Sequence, residues 1–86
     1  MKIEKKIRPE YFQKILDGVK TFELRLADFD CKLSDILILK EWDPKSKQYT
    51  GRFLEKEVTY VLKTKGINFW TKEDIEKYGF QIISFK

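Results

Sequence analysis

The stretch Gly18-Val19-Lys20-Thr21-Phe22-Glu23-Leu24-Arg25 decides how this chain is read, because it sets a Lys, a Glu and an Arg at the exit of a helix and along an extended segment. Upstream, Pro9-Glu10-Tyr11-Phe12-Gln13-Lys14-Ile15-Leu16-Asp17 has Pro in the first turn and apolar residues at helical spacing, and Gly18 is placed to stop it. The spacing therefore predicts a helix over 9–17 and a strand over 20–26. In a regular strand Glu23 and Arg25 project from one face, with Cα atoms roughly 6.6 Å apart. Lys20 has the opposite parity, yet as the first strand residue it can be turned toward the same cleft. Taken alone, the Glu23–Arg25 pair also fits a surface ion pair worth about 0–1 kcal/mol.

Outward from this segment, residues 2–6 alternate weakly and predict a short edge strand, while Ala27 to Leu33 reads as a loop. The run from Asp35 to Trp42 is nearly continuous and apolar, which predicts a strand buried on both faces. Pro44 to Gln48 is a polar connector, and Tyr49 to Leu62 reads as a long strand with Leu54, Val58, Tyr60 and Leu62 toward the core. Lys63 to Asn68 reads as a mobile loop around Gly66. Thr71 with Asp74 forms a capping-box variant opening a short helix that Gly79 ends, and Phe80 to Phe85 predicts a closing strand.

At 86 residues the chain is expected to be one domain, 1–86, near the size where a single core just suffices. The element order favours an α+β fold: a small mixed or antiparallel β-barrel with an N-terminal helix and a short helix before the last strand. Thirteen aromatic residues are expected to supply much of the core. No apolar run approaches the roughly 20 residues of a membrane span and no signal-peptide pattern is present, so no membrane partner and a cytoplasmic location are expected.

The chain has no His and one cysteine, Cys31, so an internal disulfide, His-based catalytic dyads and the common metal sites are excluded. No metal and no cofactor are expected. Cys31 reads as a small filler after a loop. Net charge is +4 and unevenly spread: residues 1–25 carry seven Lys/Arg against four Asp/Glu, residues 26–44 two against five, and residues 45–65 six against two. Two basic blocks flanking an acidic strand can form one positive face that attracts phosphate, although solvated lysines give the same count.

Trp42, Tyr49 and Tyr60 stand near Lys40 and Arg52, and aromatic faces beside cations are a standard way to hold single-stranded RNA. The parity of Tyr60 assigns it to the core instead. Phe69 reads as packing, and Trp70 as cover for the barrel end or the cleft. Glu41 and Asp43 share a strand face, which fits a solvated strand end or, less simply, an acid/base pair or a divalent-ion site.

The segment 18–25 resembles the G-x-K-T-x-E-x-R signature of the ASCH family, part of the PUA-like superfamily of small RNA-associated β-barrels. The later stretches Asp35 to Pro44 and Tyr49-Thr50-Gly51-Arg52 look like a small bacterial and phage branch of that family whose function is uncharacterised. The resemblance implies a PUA-like barrel that binds RNA or a nucleotide in a cleft built on Lys20, Glu23 and Arg25, and the aromatic residues beside cations add Trp42, Tyr49 and Arg52 as expected further contacts. It also implies an enzymatic alternative, a small amidohydrolase acting on a modified nucleoside such as an acetylated cytidine, with Lys20, Glu23 and Thr21 as the catalytic candidates. The deacylating members carry Thr where this chain has Glu23, so little or no such turnover is expected. A protein-interaction accessory module, with the same three residues as a structural network, is the remaining alternative.

Overall fold

The computed structural model describes residues 1–66 and 69–85. It is an α+β fold of three strands and two helices in the order β1 (Lys2–Ile7), α1 (Pro9–Leu16), β2 (Ile36–Asp43), β3 (Gln48–Glu57) and α2 (Lys72–Tyr78). The strands form one sheet in the order β1-β2-β3, with β1 parallel to β2 and β3 antiparallel to it. The near-continuous apolar run becomes the central strand, but only its Leu39 and Glu41 are buried: the expected burial on both faces fails because α1 packs on one face and, among the described residues, no element packs on the other.

α1 crosses over one face of the sheet, placing Phe12 and Ile15 against Ile7 and Leu39, with Leu37 and Leu54 packed around them. Phe12 and Leu39 are each 2% exposed. Of the thirteen aromatic residues only Phe12 is buried, so the aromatic core expected from composition is instead a small aliphatic one.

The helix ends as its sequence predicts. Gly18 adopts φ +77, its N–H donates to the Ile15 carbonyl at 3.0 Å, and Val19 N–H donates to the Lys14 carbonyl at 2.9 Å. This pair of bonds closes a helix on a left-handed residue, the conformation a Cβ disfavours. Lys20 N–H reaches the same Lys14 carbonyl at 3.0 Å, which fixes where the Lys20 side chain starts.

Three expected strand segments differ. Residues 20–26 form no strand: their polar groups bond to side chains and to the β1 backbone rather than to a partner strand. β3 stops at Glu57 instead of Leu62, because Glu57 pairs with Ile36, the first residue of its partner. Val58 is held at the strand's end by bonds with Asp35 and Ser34, and beyond it Tyr60 and Leu62 are 75% and 67% exposed rather than in the core. Residues 80–85 form no strand. The Lys63 to Asn68 loop is described only to Gly66; its last two residues lie outside the described residues. α2 is capped as expected, with Thr71 Oγ1 accepting from Asp74 N–H at 3.1 Å, and none of its residues is buried.

Candidate functional site: a cationic cleft beside the helix exit

Lys20, Glu23 and Arg25 meet. The Lys20 ammonium donates to Glu23 Oε1 and to the Phe22 carbonyl, both at 2.6 Å. Arg25 Nε donates to Glu23 Oε2 at 2.9 Å, and its Nη2 donates to the Lys6 carbonyl on β1. Glu23 is thus clamped between two cations, and the extended segment is tied to the sheet through Arg25. The side chains of Lys20 and Glu23 are 13% and 15% exposed, that of Arg25 31%.

The three residues line a cleft of about 370 Å³ on the helix side of the sheet. Its apolar wall includes Phe22, Phe29, Leu37 and Val58, while Lys56 and Lys63 add positive charge and Glu57 negative. Thr21 also lines it. Counting donors shows what the clamp still offers: an ammonium has three N–H groups and a guanidinium five, so Lys20 keeps one and Arg25 three after the bonds named. The cleft mouth therefore presents donors, suited to a phosphate, a base carbonyl or a ring nitrogen.

Sequence reasoning missed the opposite wall, made by residues 56–63 and Phe29. Its only trace in sequence was the apolar parity of Val58, Tyr60 and Leu62, which points to a wall as well as to a core.

Trp42, Tyr49 and Arg52 do not join this cleft. Arg52 lies on the helix side but donates to Glu41 at 2.9 and 2.8 Å and to Gln13 at 3.4 Å, with its guanidinium 4.7 Å from the Phe12 ring centre. It is held in an ion pair with Glu41. Glu41, read from sequence as a solvated strand end, is 3% exposed and also accepts from Thr50 at 2.6 Å. Arg52 and then Thr50 hold its carboxyl below its ordinary value. Asp43 does not pair with it: its carboxylate accepts from Lys45 N–H at 2.9 Å and shapes the hairpin turn. Trp42 and Tyr49 pack edge to face, centroids 5.0 Å apart, on the other side of the sheet. Phe69 and Trp70 are 79% and 55% exposed and pack on each other, so Trp70 does not cover the cleft. Cys31, half-buried, lines the cleft.

Residues 3–74 match the family described as a domain of unknown function, DUF3850. The chain belongs to this family. The matched range takes in β1 from Ile3 on, α1, the cleft segment 18–25 and the whole hairpin of the DUF3850 domain. A relative, the uncharacterized 12.9 kDa protein in the GpA 3′ region of Escherichia phage P2, is 38% identical over 58 residues. That match covers 67% of this chain and 51% of the phage protein, so the DUF3850 domain here aligns with about half of its relative's length. No solved structure matches it. Among the described residues no group of His, Cys, Asp and Glu is arranged to hold a metal ion, and no helix is long and apolar enough to cross a membrane.

Proposed function

We propose that this DUF3850 domain binds RNA by holding one base or nucleotide in the cleft of Lys20, Glu23 and Arg25. The observation that carries the proposal is the clamp itself: one carboxylate fixes two cations at the mouth of an apolar-walled cavity, with donors left over. Cavities of roughly 300–1,000 Å³ accept small ligands, and a nucleoside falls at the lower end. The apolar wall takes the ring, Lys20 and Arg25 take phosphate or a base edge, and Glu23 orients them.

The resemblance of residues 18–25 to the ASCH signature supports the same ligand class, in a cytoplasmic setting. The closed PUA-like barrel belongs to this proposal too. The extended segment 20–26 and the apolar segment 80–85 would supply the further staves, and among the described residues the outer edges of β1 and β3 have no partner strand in the sheet.

The hydrolase reading is favoured by one observation, the 13% exposure of Lys20 in an apolar-walled cleft. Against it, two of the three Lys20 donors are engaged at 2.6 Å by Glu23 and by the Phe22 carbonyl. A lysine held this way serves as a fixed cation, whereas a base must give up its proton.

The test is retention of short RNA oligomers at low ionic strength. Binding is expected to fall with salt and to vanish in the Lys20→Ala/Arg25→Ala double variant, with the circular dichroism spectrum unchanged. Absence of salt-dependent retention by the wild type overturns the proposal. Hydrolysis of N4-acetylcytidine that is lost in Lys20→Ala and kept in Lys47→Ala establishes the enzyme in its place.

A further inference from the structure

We infer that the sheet face opposite the cleft is a second contact for single-stranded RNA, a stacking platform at the hairpin end that takes the nucleotides flanking the one held in the cleft. The inference deepens the RNA-binding reading and rests on it.

The register places Lys6, Lys40 and Phe53 side by side across the three strands, and Trp42 opposite Tyr49. These residues point away from α1, since their strand neighbours Leu39 and Leu54 point toward it. Among the described residues no element covers the face. Tyr49 is 49% and Phe53 59% exposed, and both line a concavity of about 470 Å³ with Glu4, Ile38, Lys40 and Gly51. Gly51, at φ +96, leaves its part of the concavity open, since a Cβ built there meets no atom within 4 Å. A flat ring can therefore lie on Tyr49 or Phe53.

Charge selects the occupant. Two carboxylates of this face are paired, Glu4 with Lys40 at 3.2 Å and Glu55 with Lys2 at 3.5 Å, and Glu57 stands at the far end of β3 from the hairpin. Lys6 makes no ion pair among the described residues, and its ammonium rests 3.9 Å from the Trp42 ring centre. Lys45 and Lys47, exposed in the turn that follows Trp42, make none either. Lys6, 5.8 Å from the exposed Tyr49 ring centre, and the two lysines of the adjoining turn match a phosphate backbone whose bases stack, at roughly 4–16 nucleotides per site in proteins of this kind.

Lys6 also joins the two sites. Its carbonyl accepts from Arg25 of the cleft while its ammonium lies on Trp42 of the platform. A strand anchored in the cleft thus passes around the edge of β1 to reach the platform.

The experiment uses the Trp70→Phe variant, which leaves Trp42 as the sole tryptophan, titrated with uridine monophosphate and with an oligouridylate of about eight nucleotides. The oligomer is expected to quench Trp42 and the mononucleotide to bind without quenching it. Tyr49→Ala is expected to weaken the oligomer about tenfold and leave the mononucleotide unchanged. Lys45→Ala/Lys47→Ala, in an exposed turn that carries no packing, is expected to lower the log–log salt slope for the oligomer by about 1.4. Mononucleotide binding with no oligomer quench and an unchanged salt slope overturns the platform and leaves the cleft standing. Oligomer quenching without mononucleotide binding supports the platform and overturns the cleft as anchor. Failure of both ligands overturns both.

Discussion

Glu41 is buried in the sheet because Arg52 donates to it twice and Thr50 once, and these bonds favour its ionised form. Asp35 is likewise held below its ordinary value, first by Lys32 N–H and then by the N-terminal ammonium. A carboxyl whose folded value is depressed contributes stability above its unfolded value and loses it as pH falls through the folded one. The denaturation midpoint is therefore expected to be flat from pH 7 to about 5 and to drop below about pH 4.5. Glu41→Gln should flatten part of that drop, and a stability that rises on acidification contradicts the account. Arg52→Ala leaves the Glu41 carboxylate buried with one partner fewer. In urea it is expected to lower stability well beyond Lys47→Ala, and adding Glu41→Gln should recover part of the loss; an Arg52→Ala variant as stable as Lys47→Ala contradicts the pairing. The sequence could not assign Glu41 or Arg52 to this pair, because the partners are eleven residues apart and meet only once the hairpin is in register.

At the scale of elements, both helices and the central strand were legible, since each rests on local chemistry: Pro9 and Gly18 around α1, Thr71 and Gly79 around α2, an apolar run in β2. Segment 20–26 reads as a strand in sequence, and Glu23 and Arg25 meet as their shared parity predicts, whereas Lys20, of opposite parity, joins them because the turn after Gly18 sets where its side chain starts. What sequence could not supply was a partner strand: in its place Arg25 bonds to the Lys6 carbonyl and Lys20 to the Phe22 carbonyl. The over-long β3 has the same cause, since a ladder cannot outrun its partner's first residue. Gly18 controls this region, as its left-handed turn sets the origin of the Lys20 side chain. Gly18→Ala is expected to destabilise by about 1 kcal/mol and to weaken RNA binding. Unaltered stability and binding in that variant would remove Gly18 from the design of the cleft.

For the whole molecule, size and surface disagree with a closed globule. The accessible area is 7675 Å², about 2,300 Å² more than a compact chain of 10.4 kDa exposes. The radius of gyration is 14.9 Å against about 12 Å for a compact domain of this length. Exposed apolar side chains run through the chain, Leu24 and Leu26 at 70% and 81% among them, and in the last third Tyr60, Leu62, Ile83 and Phe85 are 67–90% exposed. Such residues gain roughly 1.5–3 kcal/mol each on burial, so closure of segment 80–85 against a sheet edge on the helix side, leaving the opposite face bare, is the favourable outcome. Small-angle scattering of the monomer is expected to give a radius of gyration near 12 Å, as the proposed barrel requires. A monomer near 15 Å contradicts closure and favours an interaction module that keeps this apolar surface for a partner.

The central claim, one nucleotide held in the cleft of Lys20, Glu23 and Arg25, is tested most directly by mapping amide chemical shifts of the ¹⁵N-labelled domain during titration with a short RNA at low salt. The expected perturbations fall on 20–26 and on the facing wall 56–63, and disappear in Lys20→Ala/Arg25→Ala. No perturbation there, or an identical pattern in the double variant, contradicts the claim.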